Sequence, residues 1–186
     1  MPAKRAAAVF VGSLGLSPGA WADTSGEPGP LIRDRRLGAS LDLALGGEAT
    51  ETYGGSHSLG PGFGVTPWFT WCDAGMGFCY GPSLSLRSLS WESGSTFSVA
   101  PALRGALELG ADKETGLGFQ FVLDLGYRVG LGSATLAGFY AALDFDGRWW
   151  LNRDLGIVFG LGLSYMPAVP LTEVPVLHAG LEHSFF

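Results

Sequence analysis

The chain carries three histidines, His57, His178 and His183. A serine-type hydrolase needs such a base within hydrogen-bond reach of a hydroxyl, with a carboxylate to orient it. Serines do flank two of them, in "GSHS" around His57 and at Ser184 beside His183. The spacing argues against catalysis. His57 sits in a glycine-flanked polar stretch that reads as a solvated loop. His183 and Ser184 are adjacent in the alternating segment "HAGLEHSFF", so their side chains point to opposite faces. His178 and Glu182 share a face, but four strand residues put them roughly 13 Å apart. No catalytic group, cofactor or metal ligand set is expected. The two cysteines, Cys72 and Cys79, bracket "DAGMGF" with no histidine nearby. In an oxidising compartment that spacing predicts a disulfide closing a small loop.

The compartment is written at the start of the chain. "MPAKRAAAVFVGSLGLSPGAWADT" has two early cations, an apolar run through Leu16, and the small residues Ala20 and Ala22 around Trp21. That is the order of a secretory signal peptide. A spanning helix needs about 20 apolar residues, and Gly12, Gly15 and Pro18 break this run. Residues 1–22 are read as signal peptide, 23–36 as a short polar leader in the periplasm, and 37–186 as the folded domain. The whole chain has net charge −6, and losing Lys4 and Arg5 makes the exported part more acidic. Such a chain has no electrostatic footprint for nucleic acid.

The folded part alternates with period two. Leu37, Ala39, Leu41, Leu43 and Leu45 share one parity, with Gly38, Ser40, Asp42 and Ala44 between them. The same pattern returns through Leu59–Trp71, Leu84–Leu86, Phe97–Leu109, Leu117–Val129, Ala137–Phe145, Leu155–Tyr165 and Leu177–Phe185. About eight amphipathic strands and no helix are predicted. A soluble barrel also alternates. Here the segments run roughly 9 to 13 residues, the length that crosses a membrane at a tilt. The apolar parity carries no charge, and rings at the segment ends (Trp68, Trp71, Tyr80, Tyr127, Trp149, Trp150, Tyr165) suit interfacial girdles. The polar parity is mostly small residues with some Arg and Asp and almost no Lys, which suits a crowded interior. The apolar face is therefore expected to meet lipid: a transmembrane, antiparallel, up-and-down β-barrel of about eight strands.

On those features the exported chain resembles the small eight-stranded outer-membrane barrels of Gram-negative bacteria, the OmpA/OmpX/OmpW-like class. Its last strand resembles the C-terminal signal read by the barrel-assembly machinery, carried here by His178, Gly180, His183 and Phe185, with Phe186 one residue extra. The resemblance implies an outer-membrane location with both termini periplasmic. It also implies contact with outer-membrane lipid and lipopolysaccharide, delivery by periplasmic chaperones, and a monomer. Periplasmic turns are expected at the cysteine segment, 111–115 and 148–154. External loops are expected at 47–58, 88–95, 130–134 and 166–175, the last carrying Glu173. Pro61, Pro67 and Pro101 cannot donate to a closed ladder, so bulges or strand ends are expected there.

Eight strands enclose a lumen that side chains can just fill. The inward parity supplies Arg87, Arg104 and Arg128, with Asp42, Glu108, Asp124, Asp144, Asp146 and Glu182. Charges in so narrow a space persist only if paired. An ionic network closing the barrel is predicted, giving a structural or surface protein of the membrane-integrity or adhesion type. The alternatives are a narrow channel for small or apolar solutes and a lipid A-modifying enzyme. Some barrels of this membrane are lipid A deacylases, but their His-x-Ser on one strand face is missing here.

Overall fold

A computed structural model describes residues 32–50, 56–73, 77–91, 94–110, 116–133, 136–167 and 171–185. The signal peptide, most of the leader segment and Phe186 lie outside the described residues.

Ten strands form one antiparallel sheet: β1 (Ile32–Ala44), β2 (Gly47–Thr50), β3 (Ser56–Leu59), β4 (Gly62–Asp73), β5 (Phe78–Trp91), β6 (Gly94–Leu109), β7 (Leu117–Gly132), β8 (Leu136–Trp150), β9 (Leu155–Met166) and β10 (Leu171–Phe185). Sequence neighbours pair along the sheet, and β1 pairs with β10, for example Leu37 with His183 and Leu43 with Leu177. The sheet is thus a closed barrel with no free edge. The short strands β2 and β3 pair with each other; β2 also continues onto β10 and β3 reaches Trp91 of β5. They extend β1 and β4 beyond breaks at Leu45–Gly46 and Gly60–Pro61, so ten strands make eight staves.

Alternation dictates the wall. Along β7 the residues Leu117, Phe119, Phe121, Leu123, Leu125, Tyr127, Val129 and Leu131 are exposed, while Gln120, Val122, Asp124 and Arg128 between them are buried. Every long strand repeats this. The outer face is apolar, with Leu41 69 % and Phe139 73 % exposed. In water such a continuous apolar surface would drive aggregation; against acyl chains it is the stable side. Stacked and edge-on rings (Phe119 with Phe145, Tyr127 with Phe139) pack across neighbouring staves on this face.

The strands outrun the predicted ends. β1 starts at Ile32, inside the expected leader, and β8 runs to Trp150, inside the expected turn. β5 and β6 reach Trp91 and Gly94, and the expected loop 47–58 holds the β2–β3 hairpin. Polar residues beyond the apolar belt keep pairing, because closure gives every strand two partners to its end. Pro61 sits just before β4, as expected of a strand end. Pro67 and Pro101 use no bulge. The β4–β5 ladder skips from Val65–Leu86 to Trp68–Ser83, and β6–β7 skips from Val99–Val129 to Ala102–Gly126, with the register unchanged on both sides. Each proline leaves a local gap on one side only, while Pro67 still lies opposite Ala39 of β1.

Candidate functional site in the barrel lumen

The polar parity of eight staves converges inside the barrel, where its side chains form three ionic tiers and an apolar cap. Near the end that holds Ile32 and Phe185, Arg36 of β1 donates from Nε to Asp34 (2.9 Å) and with both terminal nitrogens to Glu108 of β6. Arg148 of β8 donates to Glu108, to Gln120 Oε1 (2.6 Å) and to Glu182 Oε2 (3.0 Å). Both guanidiniums lie over the Trp150 ring, at 5.4 and 5.6 Å. Gln120 passes the chain on to Asp146 (2.8 Å), whose other oxygen accepts from His178 Nε2 (2.5 Å).

At mid-height Arg104 of β6 makes a two-point contact with Asp124 of β7, Nε to Oδ1 at 3.1 Å and Nη2 to Oδ2 at 2.7 Å. Ser83 donates to the same carboxylate (2.8 Å), and the Arg104 guanidinium packs 4.6 Å from the Trp68 ring. Toward the loops, Glu173 Oε2 accepts from Arg87 (3.0 Å), Arg128 (2.8 Å) and Ser164. Arg87 also reaches Asp42 (3.3 Å), which accepts from Ser40 (2.7 Å) and Thr66 (2.5 Å). Above this tier Leu89, Ala100, Leu136, Tyr140, Met166 and Leu171 form a buried apolar cap, with Trp91 packed against it.

Of the residues expected in the lumen, Asp42, Arg87, Arg104, Glu108, Asp124, Arg128, Asp146 and Glu182 all enter these tiers. Asp144 borders the remaining cavity and has no ion-pair partner among the described residues. That cavity is about 30 Å³, room for one or two water molecules. It lies between the ionic tiers, lined by Asp42, Arg87, Arg104, Asp124, Arg128 and Asp144.

The network also takes in residues outside the expected lumen set. Asp34 and Arg36 fell in the expected leader, although they continue the parity of Gly38, Ser40 and Asp42. Arg148 and Trp150 fell in the expected turn, although they continue Asp144 and Asp146. Glu173, expected in an external loop, is 1 % exposed at the centre of the upper tier. A register irregularity between Glu173 and Val176 switches the inward parity of β10 from odd to even, and a strict period of two cannot follow that switch. The expected girdle is also corrected at two positions. Trp68 and Trp150 point inward at 4 % exposed, because each shares the parity of a buried polar neighbour, Thr66 or Arg148. Trp71, Tyr80, Tyr127, Trp149 and Tyr165 are on the outer face.

Cys72 and Cys79 are joined as a disulfide across β4 and β5, facing the lumen beside Ala106 and Val122. In the last strand His178 points inward to Asp146, whereas His183 and Phe185 point outward with rings 4.5 Å apart. Gly180 lies opposite Ser40, where a Cβ would come within 2.3 Å of the Ala39 carbonyl oxygen. Of His57 only the backbone, in β3, is described. Neither His178 nor His183 has a hydroxyl partner: Nδ1 of His183 donates to the Asp154 carbonyl (2.8 Å), and Ser184 donates into the lumen to Asp34. Among the described residues no three His, Cys, Asp or Glu side chains are grouped to hold a metal.

No protein-family model and no curated protein sequence matches the chain. Solved structures do match its fold. Neisserial surface protein A superposes with a TM-score of 0.59 at 11 % identity, over 81 % of this chain and 97 % of that one. Ail, the attachment invasion locus protein of Yersinia pestis, gives 0.53 at 8 % identity over 82 % and 98 %. The N-terminal β-barrel domain of Pseudomonas aeruginosa OprF gives 0.52 at 9 % identity over 83 % and 98 %. With its closed antiparallel sheet, apolar outer wall and charge-filled lumen, the chain has the eight-stranded β-barrel fold of these small outer-membrane proteins.

Proposed function

We propose that the protein is a monomeric, integral outer-membrane barrel that works through its wall and loops and not through its lumen. It is a structural or surface protein of the membrane-integrity or adhesion type, with both termini in the periplasm. Outer-membrane phospholipid and lipopolysaccharide surround it; periplasmic chaperones and the barrel-assembly machinery deliver it.

The observation that carries this reading is the filled lumen. Arginines from β1, β5, β6, β7 and β8 are each paired to carboxylates, and the cavity beside Arg104 and Asp124 is about 30 Å³. Guanidinium forks spanning several carboxylates suit a rigid plug. A diffusion pore needs continuous water, and a lumen crossed by paired arginines and carboxylates supports the plug instead. The name of Ail, an attachment protein, supports an adhesion-type role for this kind of barrel. Catalysis is not supported, since no described histidine meets a hydroxyl.

Planar-bilayer recording of the refolded mature chain is the test. The expected record is closed, with no steady unitary conductance. A large, persistently open level would overturn the plug and make small-solute passage the function. Release of fatty acid from purified lipid A would move the protein to the enzymes. Recovery as a detergent-independent monomer from the soluble periplasm would remove the membrane reading altogether.

A further inference from the structure

Among the side chains described, the outer wall carries one cation. On the outward faces of the eight long strands the charged side chains described are Arg35 of β1 and Asp73 at the end of β4. Arg35 is exposed and has no ion-pair or hydrogen-bond partner among the described residues. Its ladder partners are Trp71 on one side and Phe185 on the other. Trp71 packs against Phe69 (4.9 Å) and Tyr80 (5.9 Å), and Phe185 packs against His183 (4.5 Å). A lone guanidinium thus stands between two aromatic groups.

Its height along the barrel is informative. The outward apolar run of β1 and the residue after it spans Leu37 to Leu45, centred on Leu41. Six residues separate Leu41 from Arg35, roughly 20 Å along the strand. At a tilt of about 40° that is roughly 15 Å along the membrane normal, just past half of an apolar band about 25 Å tall. Arg35 therefore sits at headgroup level, where a charge on the lipid face is tolerated. Aromatic rings favour the same depth.

The donors available there match a phosphodiester. Arg35 offers its planar fork. The Trp71 indole N–H has no partner among the described residues. His183 donates from Nδ1 to the Asp154 carbonyl, which fixes its ring. Leu37 pairs with His183, so Arg35 and His183 are diagonal neighbours on one face. We infer that Arg35, with the Trp71 indole N–H beside it, forms a binding site for the phosphate of an anionic phospholipid in the leaflet at the terminal end of the barrel.

This rests on the membrane reading above, and the experiment keeps the two apart. The full mature chain is refolded into phosphatidylcholine nanodiscs containing a minority of phosphatidylglycerol. Insertion is scored first, by heat-modifiable migration and protease protection; failure to insert would refute the membrane reading and this site with it. Lipid co-released with the inserted barrel is then counted by native mass spectrometry. The wild type should be enriched in phosphatidylglycerol over the disc composition. Arg35→Gln should lower that enrichment about fivefold, the factor expected for one basic residue at an anionic surface. Trp71→Phe keeps the ring, removes the donor and should give a smaller fall. Arg153→Gln, in the exposed turn after β8, should change nothing. Equal retention by wild type and Arg35→Gln, or an equal fall for Arg153→Gln, would overturn the site.

Discussion

Replacing Arg104 by alanine tests the ionic lumen where it is most isolated from either rim. Arg104 and Asp124 are each below 10 % exposed, and their contact is bidentate. Breaking a buried pair by removing one partner typically costs 3–5 kcal/mol, because the other charge is left uncompensated. Loss of the guanidinium stacked 4.6 Å from Trp68 adds to this. Two features pull the other way. Ser83 still donates to Asp124, and the adjoining cavity of about 30 Å³ can bring water to the bared carboxylate. The expected loss is therefore near the lower end, about 3 kcal/mol. Urea unfolding in lipid vesicles, followed by tryptophan fluorescence, would measure it as a lower midpoint at unchanged slope. The double variant Arg104→Ala/Asp124→Ala should be more stable than the sum of its single changes by about 1–3 kcal/mol, since it removes both charges together. If Arg104→Ala lies within about 1 kcal/mol of wild type, or the two changes simply add, the pair is solvated and the lumen is not a sealed ionic core.

Three further substitutions probe other parts of the interior. Glu173→Gln leaves Arg87 and Arg128 facing each other without their shared anion; a loss of at least about 3 kcal/mol in the same urea assay is expected, and a neutral outcome would return Glu173 to the loops. Cys72→Ser with Cys79→Ser removes a link across a separation of seven residues; assembly should persist with a loss of no more than about 2–3 kcal/mol, and alkylation of both thiols in unreduced, denatured wild type would show that no link forms. Gly38→Ala would set a Cβ 2.3 Å from the Trp68 ring; displacing that ring should cost about 1–3 kcal/mol and alter the near-ultraviolet circular dichroism, whereas an unchanged spectrum would mean Trp68 does not lie over Gly38.

Much of the architecture was legible from side-chain order alone. Period-two alternation is a local property of each strand, and the length of the segments with an apolar parity free of charge from Leu37 onward favours lipid over a soluble interior. The approximate number of staves and the inward set Asp42, Arg87, Arg104, Glu108, Asp124, Arg128, Asp144, Asp146 and Glu182 follow from that parity; the antiparallel course is what the resemblance implied. Strand ends were less legible. The hydrophobic signal stops where the apolar belt stops, while hydrogen bonding continues; Asp34, Arg36 and Arg148 lie in that difference.

Which charge meets which was a matter for the tertiary structure. Ion pairs such as Arg36 with Glu108, or Arg87 with Glu173, join residues 72 and 86 positions apart, and their meeting depends on the stagger set by barrel closure. No local pattern encodes that stagger. The irregularity between Glu173 and Val176 is of the same kind: it reverses the parity of β10 midway and carries a carboxylate from an expected loop into the lumen. Trp68 and Trp150 went inward because a ring's polarity suits either a membrane interface or the face of a guanidinium. Amino-acid order thus determined which residues line the lumen along regular strands, since facing is a two-residue rule. Closure decided the partners, since a barrel's shear is a property of all its strands together.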